Sequence, residues 1–180
     1  AGAVHVRDCL RICAITFLGA LIGTLGVRQL GPNVLKLIIP LLLLVVAVYT
    51  LCKPQLGQTD GSPRLSRVRF DFLFGLLLGF YDGFFGPGTG SFWTMAFVPM
   101  LGFNLTRATG YTKAVNFSSN VCSLLVFALA GKVHYAAGMT MGMGQLLGAR
   151  FGSRMVMARG TKFIRPVFIT VVLLITGKLL

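Results

Sequence analysis

The sequence predicts an all-α, polytopic membrane protein with about five transmembrane helices and one glycine-broken re-entrant hairpin. Two observations lead to this fold class. The 180 residues are 55% hydrophobic and only 12% charged, which is about half the charge of an ordinary soluble domain. Five or six apolar stretches also reach the roughly 17 to 25 residues that cross a hydrocarbon core. The chain is therefore expected to form one membrane-embedded unit.

The elements follow from the alternation of apolar runs and helix breakers. Helices are expected at about 10–27, 34–51, 106–130, 134–151 and 163–180. Gly19 and Gly23 lie four residues apart on the first helix and would let another helix approach closely. Residues 53–69 are rich in Pro, Gly and basic side chains and form the predicted linker. The expected boundaries are thus 1–52, 53–69 and 70–180.

The segment from Phe70 to Leu101 is apolar but is interrupted at its centre by Gly83-Phe-Phe-Gly-Pro-Gly-Thr-Gly-Ser91. Unwound backbone survives at membrane depth only where protein or a water-filled cavity satisfies its peptide groups. If the segment returns to the side it came from, thirteen of the seventeen Lys and Arg lie on one side, whereas a single crossing splits them eight against nine. The positive-inside rule therefore predicts a hairpin with its tip in the membrane and a cytoplasmic 53–69 loop.

The hairpin tip carries the first candidate binding residues. Its second half-helix is expected to begin near Ser91, so that the N-terminal amides and the helix dipole would attract an anion. Gly86, Gly88 and Gly90 would allow a solute to approach the backbone closely. The alternative is that these glycines only permit tight packing.

The helix after the hairpin carries a polar stripe. Its members recur at spacings of three and four and share one helical face, as in a helix that lines a solute path. They are Thr106, Thr109, Lys113, Asn116, Asn120 and Ser123. Hydrogen bonding between helices is the alternative for any one of them.

Two further polar residues are expected at membrane depth. Asp82 is predicted to be the only acid within a membrane-length apolar region, where an unpaired charge costs roughly 3 kcal/mol. It would carry a coupling proton, or hold the shape of the loop through Lys113 or loop amides; the alternative is that it only caps the turn. Gln145 is expected at the rim of a close helix contact, because glycines with small-x-x-x-small spacing surround it.

Other classes of protein are disfavoured. The net charge of +13 comes from basic residues in short loops, with no continuous basic face of the kind that binds nucleic acid. No nucleophile, base and orienting acid fall together, so we expect no enzyme. Cys9 and Cys13 share a helical face without a nearby His or carboxylate, which favours packing over a metal site. We predict no cofactor and no metal.

Several motifs resemble the TauE/SafE family of membrane transporters, also called the toluenesulfonate uptake permease family, and within it the YfcA-like branch. They are Gly79-Phe-Tyr-Asp-Gly-Phe-Phe-Gly-Pro-Gly-Thr-Gly-Ser-Phe, Gly102-Phe-Asn-Leu-x-x-Ala-Thr and Lys113-x-x-Asn-x-x-Ser-Asn. Gly131-Lys-Val, Gly144-Gln-x-x-Gly-Ala-Arg-x-Gly-Ser-Arg and Lys162-Phe-Ile-Arg-Pro fit the same branch. The resemblance covers nearly the whole chain.

The resemblance implies a multi-pass inner-membrane transporter of small anions, such as sulfite, sulfonates or related organosulfur compounds, built from two repeats. This chain would be its C-terminal two-thirds to three-quarters: residues 1–52 end the first repeat, and 70–180 form the second. A matching hairpin of the first repeat is expected upstream of Ala1. The expected partners are the substrate, the lipid bilayer and a second copy of the chain in a homodimer, and no nucleic acid.

The resulting hypothesis is that two hairpin loops, one from each repeat, meet near the bilayer midplane and bind the anion. Amides and a hydroxyl would come from Gly86, Gly88, Gly90 and Ser91. Lys113 would supply charge, Asn116 and Asn120 would orient the solute, and Asp82 would couple a proton or shape the loop. The alternative function is a passive channel or a non-transporting membrane assembly partner.

Overall fold

The computed structural model describes residues 6–31, 34 and 61–159. In chain order the described helices are α1 (Val6–Arg28), α2 (Arg67–Phe84), α3 (Thr89–Leu101), α4 (Leu105–Leu129) and α5 (Tyr135–Arg159). The described residues contain no β-strand, which agrees with the predicted all-α class. The helix expected at 34–51, apart from Val34, the helix expected at 163–180, and residues 53–60 of the predicted linker lie outside the described residues.

The observed helix ends differ from the expected ones by one to eight residues. α1 begins at Val6 and α5 continues to Arg159, so both are longer than their apolar cores. α2 begins at Arg67, and the basic residues at the end of the predicted linker are therefore helical. Arg67 and Asp71 form an ion pair one turn apart, which stabilises this first turn of α2.

The chain divides into two compact units, residues 1–130 and 131–180. The helix described in the second unit is α5, which carries Gln145 and the surrounding glycines at 138, 142, 144, 148 and 152. Within α5 the Thr140 hydroxyl donates back to the carbonyls of Ala136 and Ala137. The first unit contains α1 to α4 and the whole of the hairpin.

Two of the described helices are long and apolar enough to cross a membrane. They are residues Arg7–Arg28 of α1 and Leu105–Leu129, the whole of α4. At 1.5 Å per residue, helices of 23 and 25 residues are roughly 35 Å long, which exceeds the roughly 30 Å hydrocarbon core. α3, with 13 residues, reaches only about 20 Å and is too short to cross by itself.

α1 and α2 contact each other backbone to backbone through glycines. A β-carbon added at Gly79 would lie 2.5 Å from the Thr16 carbonyl oxygen, and one added at Gly83 would collide with the Ala20 carbonyl. On the opposing helix, a β-carbon at Gly19 would lie 2.6 Å from the Leu76 carbonyl, and one at Gly23 would overlap the Phe80 carbonyl. The close approach predicted from the spacing of Gly19 and Gly23 is therefore present, and α2 is the helix that approaches.

α2 and α3 form a helical hairpin whose two ends meet. The Gly61 amide donates to the Gly102 carbonyl at 2.8 Å, and the Arg64 amide donates to the Met100 carbonyl at 2.9 Å. Residues 61–65 lead into α2, whereas 100–102 end α3. The chain therefore returns to the end of α2 from which it started. Gly102 closes the hairpin at φ +66°, a conformation that favours glycine.

An aromatic cluster fills the space between α2, α3 and α4. Phe70, Trp93, Phe97 and Tyr111 are all fully buried, and Phe103 is nearly so. Phe97 stacks on Trp93 with ring centroids 5.3 Å apart and lies 5.7 Å from the Tyr111 ring. Burial of these large rings stabilises the contact between the open end of the hairpin and α4.

Candidate functional site

The loop at the hairpin tip is built on two left-handed glycines. Gly86 and Gly88 have φ of +81° and +80°, and Gly88 is the N-cap of α3. The half-helix thus begins at Thr89, two residues before the predicted Ser91. Two side-chain bonds shape the loop: Thr89 Oγ1 donates to the Gly86 carbonyl at 2.6 Å, and Tyr81 Oη donates to the Pro87 carbonyl at 2.9 Å.

Only some of the backbone amides at the start of α3 donate a hydrogen bond. The Ser91 amide donates to the Gly88 carbonyl at 2.8 Å, so it is already engaged. Among the described residues, the Gly88 and Gly90 amides make no backbone hydrogen bond. Of the predicted backbone donors, these two are the ones that remain available to a solute.

Asp82 lies in the last turn of α2, beside this loop, and is half-buried. Its Oδ2 accepts a hydrogen bond from Ser119 Oγ on α4. The ion pairs of the described residues do not include one between Asp82 and Lys113. Asp82 therefore links the hairpin tip to α4 through the Ser119 hydroxyl, and the contact with Lys113, one of the expectations for this residue, is not formed.

α4 approaches the hairpin tip at Asn116. A β-carbon at Gly90 would lie 3.2 Å from Asn116 Nδ2, so glycine at this position leaves room for the carboxamide. Asn116 Oδ1 is buried and has no hydrogen-bond partner among the described residues. Thr94 and Thr112 join α3 to α4 next to this contact, with hydroxyl oxygens 3.5 Å apart. The carboxamide is thus held at the loop with an unused polar atom.

Four other residues of the predicted stripe are exposed: Thr106, Thr109, Lys113 and Asn120. Lys113 is exposed and lines an open cavity of about 420 Å³ together with Thr106 and Thr109. Asn120 is also exposed, and its side chain donates to the Asn116 carbonyl at 2.7 Å. The structure therefore brings Asn116 to Gly90 of the loop, whereas Lys113 and Asn120 lie at exposed positions of the same helix. Gln145 belongs to the separately described second unit.

Sequence reasoning missed two polar contacts that hold this site. Thr24 of α1 donates to the Gly83 carbonyl at 3.1 Å, and its hydroxyl is 2.9 Å from that of Ser123 on α4. Ser119, which is not one of the predicted stripe residues, is the α4 residue that reaches Asp82. The spacing of hydroxyl residues along one helix does not show which other helix they face. No pattern in the sequence identifies these pairs.

The prediction that Asp82 is the single acid of the apolar region is wrong, because Asp71 is completely buried within α2. Its carboxylate is paired with Arg11 Nη2 at 2.6 Å and with Arg67 Nε at 3.2 Å. A buried carboxylate requires such partners. The i, i+4 spacing of Arg67 and Asp71 was the available signal, and the partner on α1 lies 60 residues away in sequence.

Comparisons with known proteins agree on one family. The family described as "Sulfite exporter TauE/SafE" matches residues 1–179. The chain is 45% identical over 177 residues to the "Probable membrane transporter protein YfcA" of Escherichia coli K12, covering 98% of this chain and 66% of that protein. It is 41% identical to a "Probable membrane transporter protein" of Haemophilus influenzae, covering 98% and 69%. A similar protein of Sinorhizobium, ORF9, is also 41% identical, covering 99% and 69%.

The chain thus spans about two thirds of the length of these relatives. No solved structure matches it.

Proposed function

Because the chain belongs to the TauE/SafE family of membrane proteins, we propose that it forms part of a multi-pass inner-membrane transporter of small anions, with sulfite and small sulfonates as the substrate class. The names of the relatives, probable membrane transporters, support the transport role. The substrate class is supported by the description of the matching family. In this proposal α2 and α3 enter the membrane and return to the same side, and residues 1–52 and 70–180 belong to successive repeats.

The observation that carries the proposal is the meeting of the glycine loop with Asn116. The Gly88 and Gly90 amides at the start of α3 offer unpaired donors, and the helix dipole adds partial positive charge at the same point. The Asn116 carboxamide adds a side chain that can turn either polar atom toward a solute. Lys113 and Asn120, further along the exposed face of α4, would line the approach to this loop.

The charge of the Asp82 carboxylate affects whether an anion can bind at this loop. Its carboxylate lies next to Gly86, since a β-carbon there would be 3.6 Å from Oδ1. An anion bound beside this carboxylate would be repelled by its negative charge, most strongly where water is excluded. A proton on Asp82 removes this repulsion, so we propose that the anion and a proton occupy the site together. The Ser119 hydroxyl, which can either donate or accept, can bond to both forms of the carboxyl group.

Counterflow of labelled sulfite and a small sulfonate tests the proposal, with the complete gene product in liposomes. We expect exchange of labelled against excess internal unlabelled solute. Asn116→Ala should reduce the exchange rate by about tenfold or more, because it removes a buried polar contact of the site. Ser118→Ala is the matched control: its hydroxyl, two residues further along α4, donates to the Cys13 carbonyl of α1 at 2.8 Å. This control should retain exchange.

Four results would contradict the proposal in different ways. Wild-type exchange by Asn116→Ala would remove the stripe from the mechanism. Dissipation of a gradient without exchange would identify a channel, and neither activity would point to an assembly partner. Asp82→Asn should abolish the dependence of uptake on a pH gradient while exchange at equal pH continues; retained pH-gradient dependence would exclude Asp82 as the proton carrier.

A further inference from the structure

A second polar site lies at the open end of the hairpin, which is the end opposite the loop at its tip. A cavity of about 460 Å³ opens where the segment before α2, the end of α3 and the start of α4 meet. Leu65, Leu101 and Phe103 form apolar walls, while Arg67 and Arg107 supply charge. A cavity that combines apolar walls with two guanidinium groups suits a ligand that is itself part apolar and part anionic.

The two arginines share one aromatic ring. The guanidinium carbon of Arg107 lies 4.1 Å from the Phe103 ring centroid, and that of Arg67 lies 5.2 Å from it. Arg67 also lies 4.5 Å from the centre of the Tyr111 ring. Cation–π contacts and the Asp71 ion pair through Nε hold these guanidinium groups in place before any ligand binds.

Both arginines retain unused donors. Arg67 Nη2 and Arg107 Nε are buried and have no hydrogen-bond partner among the described residues. An unsatisfied buried N–H on a charged group is costly, and an anionic oxygen is the acceptor that pairs best with it. These two donors belong to neighbouring guanidinium groups that flank one cavity.

The charge balance at this cavity favours an anion. Asp8 also lines it, but its carboxylate lies 3.8 Å from Arg11, and Asp71 is paired with Arg11 and Arg67. Three arginines, at 11, 67 and 107, therefore face two carboxylates, which leaves a net charge of +1. The N-cap of α2, Ser66, also lines the cavity and makes no side-chain capping bond, so the positive end of the α2 dipole is not offset there.

We propose that this cavity binds the phosphate group of an anionic phospholipid. The guanidinium groups of Arg67 and Arg107 would bind the phosphate oxygens, and Leu65 and Leu101 would contact the glycerol and the first acyl carbons. Inorganic phosphate shares the anionic chemistry but leaves the apolar walls without a function. Because the chain belongs to a family of membrane proteins, such lipids surround it at high local concentration. This site is independent of the transported solute.

The test is lipid binding to the detergent-purified complete protein, measured by native mass spectrometry during titration with phosphatidylglycerol, phosphatidylcholine or inorganic phosphate. Arg107→Gln removes one unpaired donor without breaking an ion pair among the described residues. Arg69→Gln is the matched control, since Arg69 is exposed on the first turn of α2 and does not line the cavity. Both variants are first checked for wild-type elution and thermal stability.

We expect Arg107→Gln to weaken retention of the first phosphatidylglycerol about tenfold, while Arg69→Gln changes it less than twofold and phosphatidylcholine binding is unaffected. If Arg107→Gln does not fold, Arg107→Lys provides the readout: it keeps the charge but loses the planar fork, and should weaken retention severalfold. If inorganic phosphate at equal concentration displaces phosphatidylglycerol, the cavity still binds phosphate, but its ligand is the free ion and not the lipid. Equal losses in the Arg107 and Arg69 variants, or no loss in either folded Arg107 variant, would overturn the proposal.

Discussion

The contact between α1 and α2 allows a quantitative prediction for Gly19→Ala. The new β-carbon would lie 2.6 Å from the Leu76 carbonyl oxygen and 2.9 Å from the Phe80 amide nitrogen. Both are backbone atoms of α2, so no side chain can rotate away. Ordinary van der Waals contact begins near 3.4 Å, and the two helices must therefore separate locally by about 0.8 Å.

The free energy of unfolding should fall by about 1 to 3 kcal/mol, which is the typical cost of overpacking a close-packed contact. Gly26→Ala is the matched control on the same helix. A β-carbon at Gly26 would meet the Phe84 ring at 3.5 Å, which is ordinary contact. The gain of roughly 1 kcal/mol in helix propensity from Gly to Ala applies to both variants, so it cancels in their comparison.

Thermal unfolding of the complete protein in detergent measures this difference. For a protein of this size we expect Gly19→Ala to unfold roughly 2 to 12 °C below Gly26→Ala. The separation should also lengthen the 3.1 Å bond between Thr24 and the Gly83 carbonyl by a similar amount, which would loosen the hairpin tip. Equal unfolding temperatures for the two variants would refute the close backbone contact of α1 with α2.

Two further predictions concern the open end of the hairpin. Asp71→Asn removes a fully buried carboxylate from two arginines and should lower the free energy of unfolding by about 3 to 5 kcal/mol. Asp8→Asn, at a half-exposed pair 3.8 Å apart, should cost less than about 1 kcal/mol; similar losses in both variants would contradict the burial of Asp71. Gly102→Ala and Gly131→Ala both place alanine at positive φ, which costs about 1 to 2 kcal/mol. Only at Gly102 does the β-carbon also strike backbone, the Gly61 carbonyl, so this variant should be at least about 1 kcal/mol less stable, again by thermal unfolding. No difference between the two would show that the hairpin ends are not held together.

Much of the helical fold could be predicted because long apolar runs have few alternatives in a membrane. α4 was expected at about 106–130 and is observed at Leu105–Leu129. The glycine spacing on α1 correctly indicated a close helix contact. The prediction of the start of α2 was less accurate. Residues 67–69 were assigned to the linker because of their basic composition, whereas the ion pair between Arg67 and Asp71 stabilises them as the first turn of the helix.

The candidate site was predicted less completely, because a helical period shows which residues share a face but not what that face contacts. Asn116 was selected for its stripe and does meet the glycine loop at Gly90. Lys113 and Asn120 share the same period, yet both are exposed. Ser119, slightly off the stripe, is the residue that bonds to Asp82, since the crossing position of α2 on α4 selects it.

The sequence by itself determined the helical class, the family and the position of the glycine break, because local hydrophobicity and backbone freedom decide these features. Only the tertiary structure decided that Arg11 pairs with Asp71, 60 residues away, and that Thr24 holds the Gly83 carbonyl. It also brought the two guanidinium groups at positions 67 and 107 together at one cavity. These contacts depend on where rigid helices cross in space. The periodicity of a helix in the sequence does not show where another helix crosses it.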